Sequence, residues 1–288
     1  MSTEPELDEL RALVERRAGI HLDGTRDRFL AARMREHMEK RGIASASELL
    51  SRVRGSNIEY EAFLEQLLTQ ETSFFRYPSV FGALRNSVLK EMHARKFWEN
   101  PRTLRVWSAG CSTGEEAYSI AITVAETLMF VEAWDIEILA TDISTFALRR
   151  AEQAVYPGRS LAVLSPEQLE AHFTRAPGPD QWQVRPRIRR LVRVAPMNLA
   201  QPVYAGRMDL IFCMNVMIYF TEERRMALVR GFYDMLNPGG YLVLGHAESL
   251  AKCPLKLESF LHGDSLLYRK PLAGGNAAAH AVAMERTS

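Results

Sequence analysis

The chain has 288 residues, of which 47% are hydrophobic and 25% charged, and its net charge is +1. This is the composition of a soluble globular protein of one large or two unequal domains, and its charge gives no whole-chain argument for or against an acidic partner. Cys111, Cys213 and Cys253 are odd in number and widely spaced, which excludes a disulfide framework or a zinc pattern and fits a cytoplasmic location; no apolar run approaches a membrane span or a signal peptide, so no membrane insertion is expected.

From Pro5 to about Leu68, apolar residues recur at helical spacing, with turns at Gly19, Asp23-Gly24, Gly42 and Gly55. Caps at Thr25, at Ser45 or Ser47, and at Ser56 or Asn57 predict about four helices. The pattern breaks from Thr69 to Pro78, resumes as a helix over Val80 to His93, and is punctuated by Asn100-Pro101. We therefore divide the chain into a helical domain (1–76), a linker with a connecting helix (77–101) and a larger domain (102–270).

In the larger domain, strand-like Leu104 to Ser108 leads to a helix from Gly114 to about Met129, and strand-like Ile136 to Thr141 leads to a helix from Ser144 to Val155. Two such units in succession predict a parallel sheet with right-handed crossovers. A further strand (Met208 to Met214), a helix (Thr221 to Leu236), a turn at Asn237-Pro-Gly-Gly240 and a strand (Tyr241 to Gly245) follow, and Ser265 to Tyr268 is expected as an antiparallel edge. Residues 156–194 interrupt the alternation with a short helix from Ser165 to Phe173 and a hairpin of Trp182 to Val184 with Ile188 to Val194; they read as an insertion. The tail, 271–288, is Ala- and Gly-rich without apolar period and reads as disordered.

The segment from Arg105 to Ile122 runs a strand through a glycine-containing loop into a helix opened by Glu115 and Glu116. A phosphate-cradling loop would carry lysine there, and two glutamates repel polyphosphate. A cationic, phosphate-free cofactor fits, and S-adenosylmethionine is the obvious one. Ligands bind beyond the carboxyl ends of strands in such sheets, where Gly110, Asp142 and Asn215 would converge. Asp142 can accept from both ribose hydroxyls or cap the next helix. Glu116 suits a ligand or simply the helix dipole, and Gly110 and Gly114 would let the backbone approach a ligand. Cys111 has no base nearby in sequence, which favours packing over nucleophilic attack. His246 and Glu248 either line the pocket or make a structural hydrogen bond.

Glu71-Thr-Ser-Phe-Phe-Arg76, Trp107-Ser-Ala-Gly-Cys-Ser-Thr-Gly-Glu-Glu116, Ala140-Thr-Asp-Ile143, Cys213-Met-Asn-Val-Met-Ile-Tyr-Phe220 and Gly239-Gly-Tyr-Leu-Val-Leu-Gly-His-Ala-Glu-Ser249 together resemble the CheR family of chemotaxis receptor methyltransferases. The resemblance runs to about Tyr268. It implies a protein-glutamate O-methyltransferase that uses S-adenosyl-L-methionine and releases S-adenosyl-L-homocysteine. The implied fold is α/β: a small all-helical N-terminal domain, then a Rossmann-like SAM-dependent methyltransferase domain with an inserted small antiparallel β-subdomain. By position it implies that Thr72 and Arg76 border the cofactor and the reacting centre, that Ala109, Gly110 and Glu116 hold its methionine or adenosyl part, and that Asp142 holds the ribose. Asn198 and Leu199 would face adenine, Asn215 and Val216 would form the floor, and Tyr219 would face the substrate beside Arg76. Gln70, Met214, Ala117 and Ala247 stand where Asn, Arg, Pro and Ser are common; the proposed contacts are otherwise kept, and activity is expected.

This chemistry needs no general base and no metal, because a glutamate carboxylate, with a pKa of ~4.3, is already ionised at neutral pH. Arg76 can orient the substrate or the cofactor. The helix from about Arg26 to Arg41 carries six basic and three acidic side chains; given the resemblance, Arg26, Arg28, Arg33 and Arg35 become a docking surface for the chemoreceptor's cytoplasmic helical bundle. Arg187, Arg189 and Arg190, which with Arg175, Arg185 and Arg193 form a second basic cluster in the insertion, are expected to join them in substrate docking. The turn from Ala176 to Val184 is shorter than in relatives that tether a receptor's C-terminal pentapeptide, so no tethering is expected. Nucleic acid is not expected either, since the arginines lack interleaved aromatics apart from Trp182, and a monomer is expected. Methylation of another acceptor, or a cofactor-binding adaptor without turnover, are the alternatives.

Overall fold

The structure is a computed structural model, and it describes residues 4–22, 24–69, 71–201, 205–246, 248–250, 253–263 and 265–272. Gln70, Ala247 and the tail beyond 272 lie outside the described residues.

Four helices open the chain: α1 (Glu4–Ala18), α2 (Asp27–Arg41), α3 (Ala46–Gly55) and α4 (Asn57–Leu67). Ser45 and Ser56 cap α3 and α4 by accepting from the N–H groups of Glu48 and Glu59, while α2 starts two residues beyond the expected Thr25, after a 3-10 turn, without a side-chain cap. Their apolar faces meet in one core that includes Leu10, Val14, Leu30, Leu49, Val53 and Phe63. Next come α5 (Pro78–Ala83), a π-helical turn at Leu84–Val88 and α6 (Leu89–Lys96), so the connecting helix is longer than expected at both ends.

The second body contains β1 (Arg102–Ala109), α7 (Glu115–Thr127), β2 (Trp134–Asp142), α8 (Thr145–Gln153), β3 (Val155–Pro157), α9 (Pro166–His172), β4 (Phe173–Arg175), β5 (Gln181–Val184), α10 (Pro186–Arg189), β6 (Val192–Pro196), β7 (Met208–Cys213), α11 (Glu222–Met235), β8 (Leu236–Leu244), β9 (Glu258–His262) and β10 (Ser265–Arg269). Seven strands form one sheet in the order β6-β2-β1-β7-β8-β10-β9, with β3-β5-β4 as a separate antiparallel sheet. The first five strands of the large sheet run parallel, and β9 and β10 are antiparallel additions. Parallel strands are covered on both faces, which is why all six residues of β7 are buried, five of them apolar and the sixth, Asp209, paired with Lys96 at 2.6 Å.

Three expectations are corrected. The hairpin does not form: β5 is the central strand of the small sheet, Ile188 lies in α10, and Val192–Pro196 joins the main sheet beside β2. β10 is not the edge, because β9 pairs outside it. The Asn237–Gly240 turn is part of β8, where the register shifts against β7 and Gly239 takes φ +73°; the extra residues are absorbed as a bulge within the strand.

Candidate active site

The carboxyl ends of β1, β2 and β7 open into a cleft of about 1060 Å³, its mouth included. Thr72, Arg76, Gly110, Glu116, Asp142, Asn198, Leu199, Asn215, Val216 and Tyr219, spread over almost 150 residues of sequence, all line it. Ala109 does not: it closes β1 with its side chain fully buried in the core beneath the cleft. The helical domain roofs the site with Ala18, Ile20 and Leu68. Sequence reasoning missed this contribution, because these residues continue the apolar period of their own domain and carry no motif.

The two glutamates that open α7 part company. Glu115 is buried away from the cleft and accepts from Thr113 Oγ1 at 2.5 Å. Glu116 faces the cleft and accepts from Ser108 Oγ at 2.6 Å. Burial pushes the Glu116 carboxyl up to about 7, with the charge of Glu248 adding to the rise and Ser108 and Arg76 opposing it. A carboxylate held by a neutral hydroxyl in a partly dry cleft gains from a bound cation.

Asp142 ends β2 and accepts from Ser112 N at 2.8 Å through Oδ2 and from Ser144 N at 2.9 Å through Oδ1. The cap of α8 is Ser144, not Asp142, so the aspartate instead ties the loop after β1 to the end of β2. Each oxygen keeps a lone pair for a ligand hydroxyl. Burial raises the Cys111 thiol well above its usual range, and Asp142 and Glu116 raise it further. It is thus the poorest of nucleophiles.

The floor is set by Glu248, whose carboxylate accepts from the backbone N–H groups of Asn215, Met217, Ile218 and Gly245. Of the two readings for this residue, the structural hydrogen bond holds. Gly110 lines the cleft and is also needed for close packing: a Cβ there would lie 2.3 Å from Val216 Cγ2. Gly114 likewise faces Ala151 and the Tyr156 hydroxyl, each 2.9 Å from a built Cβ. Tyr77, beyond the quoted motif by a single residue, donates to Asn215 Oδ1 at 2.9 Å.

The roof is latched from below. Asn198 Nδ2 donates to the Arg17 carbonyl at 2.7 Å, Arg224 Nη1 donates to the Glu15 carbonyl at 2.9 Å, and Ser144 Oγ donates to the Glu65 carboxylate. Arg26 stands 5.8 Å over the Tyr219 ring, which connects the basic helix to the mouth of the cleft. Arg28 is exposed, Arg33 pairs with Glu36, and Arg35 donates to the Ala31 carbonyl. In the insertion, Arg187 and Arg189 donate to the carbonyls of Ala171 and Glu152, which fastens the subdomain, while Arg190 is exposed.

Residues 70–262 match the SAM-binding domain of CheR methyltransferases, and residues 5–68 match their all-alpha domain. The chain is 32% identical to chemotaxis protein methyltransferase 1 of Pseudomonas aeruginosa, with 92% of this chain and 97% of the relative covered. It is 35% identical to the chemotaxis protein methyltransferase of Escherichia coli (83% and 82% covered) and 36% identical to that of Salmonella typhimurium (88% and 86% covered). With a helical domain roofing a cleft at the carboxyl ends of a mostly parallel sheet, and with these matches along nearly its whole length, the chain belongs to the CheR methyltransferase family and is a SAM-dependent methyltransferase of chemotaxis.

Proposed function

We propose that the chain methylates glutamate side chains on the cytoplasmic helical bundle of chemoreceptors, producing glutamate methyl esters and S-adenosylhomocysteine. The observation that carries this reading is the charge of the cleft: Glu71, Glu116 and Asp142 against the single cation Arg76 among its lining residues. S-adenosylmethionine carries a sulfonium and an ammonium against one carboxylate, so a net acidic cleft fits it. Glu116 would hold its methionine end, Asp142 the ribose, and Asn198 and Leu199 the base.

When bound, S-adenosylmethionine supplies a methyl carbon that already bears a good leaving group. The chain's residues hold and orient. The acceptor carboxylate is ionised at neutral pH and needs no proton removed. Arg76, whose Nη1 donates to the Glu71 carbonyl at 2.6 Å, is fixed at the cleft with donors left to align a carboxylate. Tyr219 borders the mouth beside Arg26. Ala18, Ile20 and Leu68 exclude water from above. Positioning of this kind supplies on the order of 7–11 kcal/mol of a barrier.

The exposed arginines of α2 support docking of an acidic receptor bundle. The turn between β4 and β5 is closed by Arg175, which pairs with Asp180 and lies 3.9 Å over the Trp182 ring; this compact turn supports capture of receptors without a tethered C-terminal pentapeptide. No helix among the described residues is long and apolar enough to cross a membrane.

Labelled S-adenosylmethionine incubated with receptor membranes should yield base-labile carboxyl esters. Label without receptor would mean another acceptor, and binding without turnover would mean an adaptor. Asp142→Ala should cost at least about tenfold in S-adenosylhomocysteine affinity by calorimetry.

A further inference from the structure

Tyr77 touches two side chains that line the cleft, Arg76 and Asn215, and one that does not, His246. Its hydroxyl donates to Asn215 Oδ1 at 2.9 Å, the Arg76 guanidinium carbon lies 5.3 Å from its ring centroid, and the His246 ring centroid is 4.6 Å from its own. Its backbone is left-handed, with φ 63° and ψ 74°, a conformation that is strained for a tyrosine and that persists only where the surroundings fix it.

The surroundings do fix it. On the amino side, Phe75 is also left-handed, at φ 49°. Its N–H donates to Ser119 Oγ at 2.9 Å, and Phe74 packs edge-on against Tyr156 and Phe173. On the carboxyl side, Pro78 opens α5 and Val80 N donates back to the Tyr77 carbonyl at 3.0 Å. The chain is thus pinned on both sides of Arg76, and a polar tie from this segment to the floor of the cleft at β7's end runs through the Tyr77 hydroxyl.

We propose that Tyr77 is a positioning residue that holds Arg76, on the segment before α5, in fixed relation to Asn215, on the loop after β7. Its ring sets the guanidinium and its hydroxyl sets the carboxamide. The proposal rests on the methyl-transfer reading for Arg76; for Asn215 it needs only that the cleft binds the cofactor.

Tyr77→Phe keeps the ring and removes the hydroxyl; Tyr77→Ala removes both. In calorimetry with S-adenosylhomocysteine, Tyr77→Phe should weaken binding about three- to tenfold. Asn215→Ala should weaken it more, and the double variant should be no worse than Asn215→Ala within about twofold. In receptor methylation, Tyr77→Ala should lower kcat beyond Tyr77→Phe, and that excess should vanish in an Arg76→Ala background. Losses that multiply in either pair overturn the proposal, as does a Tyr77→Phe protein with a lower Tm but unchanged affinity and kcat. A parent protein that binds S-adenosylhomocysteine but methylates no receptor overturns the methyl-transfer reading, and the affinity cycle still decides the Asn215 half.

Discussion

Ser108, the penultimate residue of β1, and Glu116, in the first turn of α7, share a 2.6 Å hydrogen bond that suspends one carboxylate at the edge of the cleft. Burial is the main reason that its pKa climbs to about 7. A cation beside it favours the ionised form, so binding releases a proton wherever free Glu116 is protonated. Affinity for S-adenosylmethionine, measured by calorimetry without acceptor, should therefore fall as pH drops below about 7, approaching tenfold per unit, and Glu116→Gln should bind more weakly at pH 8 with a flat profile. The ligand-free protein shows the opposite sign. Its folded-state pKa lies above the ordinary 4.5, so this group's stabilising contribution is complete below that value and is lost as pH rises towards about 7. Glu116→Gln should accordingly have the higher Tm at pH 8, and a parent with pH-independent affinity would refute the assignment.

Gly110 and Val216 are locked together. With φ +90° and 2.3 Å between a built Cβ and Val216 Cγ2, Gly110→Ala must both strain the backbone and displace the floor of the cleft. We expect a loss of about 2–4 kcal/mol in urea unfolding, together with loss of cofactor binding. Adding Val216→Ala relieves the collision but not the left-handed φ, so recovery should be partial. Complete recovery would show that the backbone strain is negligible; none would show that the collision is not the cause.

Much of this was legible in the chain. Serines before apolar periods located the starts of α3 and α4, and the alternation of strand-like and helical segments gave the parallel sheet, because each signal arises from local chemistry. The resemblance implied the small antiparallel sheet, but its strand partners were not legible: β5 pairs with β3 and β4, and β6 pairs with β2, roughly fifty residues away. Those partners are chosen by tertiary packing, so Trp182 to Val184 and Ile188 to Val194 looked like a local hairpin. At the site, the motif residues Thr72, Arg76, Gly110, Glu116, Asp142, Asn215, Val216 and Tyr219 converge on the cleft, whereas Ala109 is buried beneath it. Ala18 and Ile20 were invisible because apolar residues at and just beyond the end of α1 look like core, and the parting of Glu115 from Glu116 was not legible because sequence does not tell which face of α7 each glutamate occupies.

Arg33 and Arg35 give the docking proposal its clearest test. Arg33 pairs with Glu36 at 2.9 Å, with both side chains about 40% exposed, and such a pair contributes only about 0–1 kcal/mol; Arg35 donates to a carbonyl of its own helix. Reversing both to Glu should therefore spare the fold. Receptor methylation should weaken about tenfold or more at low salt while S-adenosylhomocysteine affinity stays within about twofold, and rising salt should narrow the gap to the parent. Equal losses in both assays would mean that α2 is structural rather than a docking face.

His37 predicts how the helical domain responds to acid. It is 2% exposed, packs edge-on against Phe63 with centroids 5.4 Å apart, and its Nε2 has no hydrogen-bond partner among the described residues. Burial lowers its pKa below 6.5, with Arg41 and Lys40 pushing the same way and Glu59 opposing them. The unfolded chain takes up a proton near 6.5 that the folded one resists, so stability falls as pH drops through that value. His37→Leu fills a similar volume and removes both the titration and the orphaned nitrogen. Measured as Tm between pH 7.5 and 5, the variant should gain on the parent as pH falls; a constant difference would show that His37 titrates alike in both states.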